Sequence, residues 1–387
     1  MRRMRRRLAR LLCRRANCPP GQVVPCWLYR PRRPAGLDVV GYLRSEIGLG
    51  EAARLIVGAL DAVAMPTSLI DIPLPGRDSE HALDARIGAP ERHAAALSIS
   101  GLSEMPSFAA RLCRAQANIL YPFWELPTFP PEWLPAFSRF DALWAPSRFV
   151  RDALAAGQPR PVALVPQPVA LPDEPPPPAA FKGPLRILTF FDYESAMVRK
   201  NPQAAIAAFR LAFPAGTEDV RLIVKTRGAS EPQPRAELAA LAARDPRVEI
   251  IDGTIARAAM DALLHSCDVF LSLHRSEGFG LGAAEALARG KAVVTTDFGG
   301  TCDFITPQTG YPVQFRTIPV PPEAYFSTQG SHWADPFPEH AAQTLRAIHD
   351  DPAAAAAKAR AGYALLRENH SFAAVGARID ALLKTLG

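Results

Sequence analysis

The 387-residue chain is 48% hydrophobic and 21% charged, an ordinary globular composition and long enough for two domains. Its net charge of +6 misleads: 11 of the 44 basic residues fall in residues 1–37, which hold no acid, leaving 33 basic against 38 acidic side chains in the rest. A mildly acidic body argues against nucleic-acid binding, no run of about eighteen apolar residues is there to cross a membrane, and six cysteines without a Cys-x-x-Cys pair argue against a zinc or disulfide framework and fit a reducing cytosol.

The chain opens on a basic arm, residues 1–36, with Leu8, Leu11 and Leu12 among its arginines. The long apolar stretch of an export signal is missing. The arm reads as a solvated tail or as a peripheral anchor on anionic lipid, at about 1 kcal/mol per basic residue. Residues 37–43 read as a strand, and residues 51–63 as a helix with Ala52, Ile56, Leu60 and Val63 on one face. Short apolar runs at 67–72, 96–99, 118–123, 142–145 and 162–165 follow, with a helix over 149–155 capped by Ser147. A proline-rich spacer, 172–183, separates a first domain, 37–171, from a second, 184–368, and from a terminal helix within 369–387.

The second half repeats the pattern. Strands are expected at 185–191, 221–224, 248–251, 268–273 and 292–295, with helices at 256–265 and 281–289. Another helix opens at Pro202, with Asn201 as its N-cap and Ile206, Phe209 and Phe213 as its buried stripe. Apolar strands alternating with helices predict α/β structure: two Rossmann-like domains with parallel sheets, binding ligands at the carboxyl ends of the strands in an interdomain cleft.

The strongest local signal is Ser272-Leu273-His274-Arg275-Ser276-Glu277-Gly278-Phe279-Gly280-Leu281-Gly282-Ala283-Ala284-Glu285. It joins a strand end to a helix start through glycines that let backbone approach a ligand. The helix N-terminus suits a diphosphate. Glu277 can accept from sugar hydroxyls, and Glu285, about one turn into the helix, from a ribose. By spacing alone the pattern is also that of a turn with solvated glutamates. Met197-Val198-Arg199-Lys200-Asn201-Pro202 sets Lys200 beside a second helix N-terminus, where it attracts phosphate. Gly48-Leu49-Gly50 follows the first strand and lacks the third glycine of a dinucleotide fingerprint. Gly299-Gly300 follows a later strand, and Tyr121-Pro122-Phe123-Trp124-Glu125 an earlier one.

Ser-Leu-His-Arg-Ser-Glu-Gly-Phe-Gly-Leu with Glu285 closely resembles the Glu-x7-Glu signature of the retaining glycosyltransferases of family 4. The resemblance implies a GT-B architecture, with the acceptor on the first domain and a nucleotide-sugar donor on the second, and a final helix that crosses back to the first. It implies donor contacts from Gly278, Phe279, Gly280, Leu281, Gly299 and Gly300, and from Gly48 and Gly50 near the donor phosphate. It places Trp124 and Glu125 on the acceptor side, one to stack on a sugar and one to bind a hydroxyl, while Phe123 and Trp124 read equally well as core residues. Lys200 would stabilise the leaving diphosphate. Relatives often add an arginine at the end of the preceding strand, where this chain has Phe190-Phe191-Asp192, so Arg199 or Lys225 is the candidate second cation. Neither metal nor cofactor is implied. The expected reaction is cytoplasmic or peripheral on the inner face of the plasma membrane, building cell-surface polysaccharide on a glycan or lipid-linked acceptor. A nucleotide-sugar epimerase or other GT-B enzyme, and a non-catalytic sugar-binding scaffold at the membrane face, are the alternative readings.

Overall fold

The computed structural model describes residues 33–386 apart from 77–82, 89–92, 110–114, 116, 175–182, 229–231 and 326–329. The basic arm through residue 32 and most of the proline-rich spacer therefore lie outside the described residues.

The first half runs β1 (Leu37–Gly41), α1 (Gly48–Asp61), β2 (Thr67–Asp71), β3 (Ala95–Gly101), α2 (Met105–Ala109), β4 (Ala117–Phe123), α3 (Leu134–Phe137), β5 (Ala142–Ala145), α4 (Arg148–Gly157) and β6 (Val162–Leu164). Its strands pair in parallel in the order β2-β1-β3-β4-β5-β6. The second half runs β7 (Leu185–Asp192), α5 (Met197–Lys200), α6 (Pro202–Ala212), β8 (Val220–Arg227), α7 (Pro232–Ala242), β9 (Val248–Asp252), α8 (Arg257–Ser266), β10 (Val269–Ser272), α9 (Leu281–Ala288), β11 (Ala292–Thr296) and β12 (Tyr311–Val313). Its strands are also parallel, in the order β12-β11-β10-β7-β8-β9. The expected α/β architecture, two parallel sheets clothed by helices, is what the chain forms.

The strand order of the second sheet reverses at β7. From β7 the chain winds one way to β8 and β9, then returns on the other side of β7 to build β10, β11 and β12. The loops after β7 and β10 therefore diverge to opposite faces and leave a crevice at the carboxyl end of the sheet. Those are the loops that carry Lys200 and Glu277.

The chain ends with an antiparallel hairpin, β13 (Phe315–Pro319) and β14 (His332–Pro336), and three helices, α10 (Pro338–Asp350), α11 (Pro352–Asn369) and α12 (Phe372–Leu386). The hairpin was not evident in the sequence. Its strands are short, contain proline and lack a two-residue turn signal between them. Trp333 and Val320, from this hairpin and its loop, are buried in the first half's core beside Trp124, Phe137 and Phe140. Helix α12 lays Val375 and Ile379 against Ile56 and Leu60 of α1. Burying each such side chain stabilises by roughly 1.5–3 kcal/mol, so the second half of the chain completes two cores of the first.

Candidate active site

Two segments meet at the crevice and are fastened backbone to backbone. The N–H of Arg275 donates to the carbonyl of Arg199 at 2.7 Å, and the Arg199 guanidinium donates to the carbonyl of Ser276 at 2.8 Å. Asn201, expected as a helix cap, takes a left-handed conformation (φ +53°) and makes no cap hydrogen bond. Its side-chain amide donates instead to the carbonyl of Leu273, at the end of β10, at 3.0 Å. A helix cap has become a tie between the two loops, and Pro202 alone starts α6.

This fastening brings Lys200, Arg199 and Glu277 together. Lys200 Nζ donates to Glu277 Oε1, and the Arg199 guanidinium lies 3.4 Å from Oε2. Burial opposes the charge on Glu277, but Lys200, then Arg199, outweigh it and hold the carboxyl down at about 2. Burial likewise opposes the charge on Arg199, and Glu125 and Glu277 raise its affinity for the proton. Beside them His274 is fully buried. Its burial depresses its basicity to about 4 and keeps the ring neutral near pH 7.

The glycines act chiefly on backbone packing. Gly280 has φ +89°, the left-handed turn that sends the chain from the loop into α9. A Cβ on Gly278 would meet the carbonyl oxygen of Trp124 at 2.6 Å, so Gly278 lets the loop lie on the first half. The Ser147 hydroxyl and the Ser276 hydroxyl tie the same loop across, to the carbonyls of Gly278 and Glu125 respectively. Gly299 and Gly300, expected against the donor, back the Glu277 loop: the Gly300 N–H donates to the Glu277 carbonyl at 2.7 Å. Phe279 is likewise in the core, against Phe304 and His370, and is not turned to the crevice. Leu281 is half-buried at the start of α9.

Glu285 sits in the second turn of α9, and its Oε1 accepts from Arg257 at 3.0 Å. Burial raises its pKa, with Arg257 working against that. Arg257 also reaches Glu51 of α1 at 3.1 Å, so one arginine links carboxylates of the two halves. Gly48 and Gly50, expected in the loop after β1, form the first turn of α1. Open space surrounds Gly48, whereas a Cβ on Gly50 would meet the Ser45 carbonyl oxygen at 2.2 Å. Lys225 does not join the cluster. Its Nζ is buried at the end of β8 and donates to the carbonyls of Thr226 and Gly253.

On the first half's side, of the two readings open for Trp124, a sugar platform or a core residue, the structure shows the core. Its ring is 2% exposed, packs edge-on against Trp133, and donates its indole N–H to Thr128. Glu125 does reach the cluster, with Oε1 3.9 Å from Arg199. Sequence reasoning missed Tyr325, Arg257 and the second bond of Ser147. Arg257 opens the helix after β9, and the rule that strand carboxyl ends face the ligand could have singled it out. Tyr325 lies between Pro322 and Gly330 with no local signal. Among the described residues no group of His, Cys, Asp and Glu could hold a metal ion, and no helix is long and apolar enough to cross a membrane.

Known structures share this architecture. Anabaena HepE, in complex with UDP and glucose, aligns with a TM-score of 0.65 at 13% identity, covering 91% of this chain and 100% of that one. A glycosyltransferase from Rickettsia africae gives 0.64 at 13% identity, over 92% and 99%. The sucrose-phosphate synthase of Thermosynechococcus elongatus gives 0.61 at 17% identity, over 92% and 99%. No curated protein sequence matches significantly. The family described as "Family 4 Glycosyltransferase in conflict systems" matches residues 147–379, a span that takes in the whole second sheet and most of the chain, and so the chain belongs to that family of glycosyltransferases and has their GT-B fold.

Proposed function

We propose that the enzyme moves a sugar from a UDP- or GDP-linked donor to a hydroxyl of a glycan or lipid-linked acceptor, with retention at the anomeric carbon. The observation that carries this reading is the Lys200–Glu277–Arg199 cluster in the crevice between β7 and β10, beside the amino end of α9. As the donor C1–O bond lengthens, negative charge grows on the leaving diphosphate. Lys200 and the free N–H groups at the start of α9 stabilise it, an electrostatic effect that needs no reorganisation during reaction. Glu277 orients the sugar and Glu285 the ribose. The acceptor hydroxyl attacks from the same face and passes its proton to the leaving phosphate, so a pair of carboxylates for double displacement is not required.

In this reading residues 37–171 take the acceptor and residues 184–368 the donor. UDP is the first nucleotide to test, because HepE is known in complex with UDP and with UDP-glucose. The product belongs to cell-surface polysaccharide, and the arginine-rich arm holds the enzyme against anionic lipid near its acceptor.

The test is turnover of UDP-glucose and GDP-mannose by the purified protein, with and without EDTA. Release of free nucleotide, unaffected by EDTA, is expected. An epimerase would return nucleotide-sugar without releasing nucleotide, and a sugar-binding scaffold would consume neither. Lys200→Ala is expected to lower kcat by about 100-fold or more. A folded Lys200→Ala variant working at the wild-type rate would end the role assigned to Lys200.

A further inference from the structure

Arg199 lies between two carboxylates that come from opposite halves of the chain, Glu277 at 3.4 Å and Glu125 at 3.9 Å. Glu125 lies two residues past the end of β4, and its backbone carbonyl is held by the Ser276 hydroxyl of the Glu277 loop. Its side chain has a second partner. The phenol of Tyr325 donates to Glu125 Oε2 at 2.5 Å. The Tyr325 ring packs on Trp124, with centroids 5.8 Å apart, and the Arg199 guanidinium lies 5.8 Å from its centroid. Tyr325 sits on the loop between β13 and β14, anchored in the first half's core by Val320 and Trp333.

The half-buried Tyr325 phenol gains from a hydrogen-bond partner, and a backbone carbonyl would serve. A carboxylate is the costly choice, because it must be desolvated to be reached. Here the carboxylate is also one that faces Arg199 and keeps 22% of its side chain exposed. With Oε2 committed to Tyr325, Oε1 accepts no hydrogen bond among the described residues and has the Arg199 guanidinium 3.9 Å away. Burial, with Glu125 beside it, raises the Tyr325 pKa well above its ordinary value, so the phenol remains a donor at any working pH.

We propose that Tyr325 is the positioning residue of the acceptor side: it clamps one oxygen of Glu125 so that the other receives a hydroxyl of a polyhydroxylated acceptor, next to Glu277. This rests on the transferase reading above. It adds that the hairpin, an element outside both sheets, sets the acceptor geometry.

The experiment compares wild type, Tyr325→Phe, Glu125→Gln and the double variant, with UDP-glucose and GDP-mannose as donor probes and a set of octyl glycosides as acceptor probes. The phenylalanine keeps the ring and its packing. Each single variant is expected to lose about tenfold in kcat/KM for the acceptor, while UDP affinity, measured by calorimetry, stays within about twofold. The double variant is expected to lose no more than either single one, the mark of two groups acting as a unit. Wild-type acceptor kcat/KM in Tyr325→Phe, additive losses in the double variant, or loss of UDP affinity in parallel would overturn the assignment. Donor turnover by wild type with no transfer to any octyl glycoside would also count against it. Failure of wild type to consume either donor would instead bring down the transferase reading, and this inference with it.

Discussion

The Ser147 hydroxyl donates to the carbonyl of Gly278 at 2.5 Å, and the same oxygen accepts from the N–H of Val150. One side chain thus caps α4 in the first half and holds the Glu277 loop of the second. Ser147→Ala is expected to cost about 1 kcal/mol for the cap and about 1–3 kcal/mol more for the buried carbonyl left unpaired. A urea unfolding midpoint reads the sum. If the second bond matters to the site, kcat falls in the same variant. A midpoint shift no larger than that of an ordinary cap deletion would show the interdomain bond to be idle.

The pH dependence of stability has a definite sign. His274 titrates near 4 in the folded chain against an ordinary 6.5, so the unfolded chain binds more protons between those values. Its contribution is present above about pH 6.5 and is lost as pH falls to 4. Glu277, held at about 2 against an ordinary 4.5, has its own loss at lower pH, from 4.5 down to 2. Unfolding free energies measured from pH 7 to pH 4 should therefore decline. His274→Gln should flatten that decline without abolishing it, since buried His370 is shifted in the same direction. An unchanged slope in His274→Gln would refute the assignment.

Gly48 and Gly50 lie two residues apart in the first turn of α1 and should respond differently to the same change. Gly50→Ala drives a Cβ into the carbonyls of Ser45 and Tyr42 and should destabilise by about 1–3 kcal/mol. Gly48→Ala meets open space and should leave the melting temperature unchanged or slightly raised. If ligand approaches the chain there, Gly48→Ala still raises KM. Equal KM in Gly48→Ala and wild type would remove Gly48 from the site.

Arg257 is the counter-ion of both Glu285 and Glu51. In Arg257→Ala the burial of Glu285 goes unopposed by that charge, so its pKa, already raised, rises further. If Glu285 binds the ribose as a carboxylate, that contact is lost at a higher pH than in wild type. As pH falls, UDP affinity in the variant should decline from a higher pH than in wild type. Parallel pH dependences would show that Glu285 does not meet the nucleotide.

Much of the sheet structure was legible because buried parallel strands write themselves as continuous apolar runs. The runs at 185–191 and 292–295 became β7 and β11 with ends shifted by a residue. The cation–carboxylate cluster was legible because Lys200 and Glu277 each lie between a strand end and a helix start. What could not be read were side-chain roles set by contacts across the whole chain. Nothing local distinguishes the core position of Trp124 from a sugar platform, since both want an aromatic ring after a strand. Lys225 looked available because the sequence does not show the carbonyls of Thr226 and Gly253 closing on it. Tyr325 is brought to Glu125 by a hairpin whose strands are too short and too proline-broken to announce themselves.

The residues that finish the first half's core come after the whole second sheet in chain order. Trp333 and Val320 fill the space beside Trp124, and Val375 and Ile379 cover Ile56 and Leu60. A nascent chain that has emerged as far as β12 therefore carries its first sheet with two apolar seams still open to water. Those seams are the surfaces on which incomplete chains stick to one another. The hairpin closes the seam beside Trp124 and α12 the seam over Ile56 and Leu60, so the first sheet keeps exposed apolar surface until segments that follow the whole second sheet have been made.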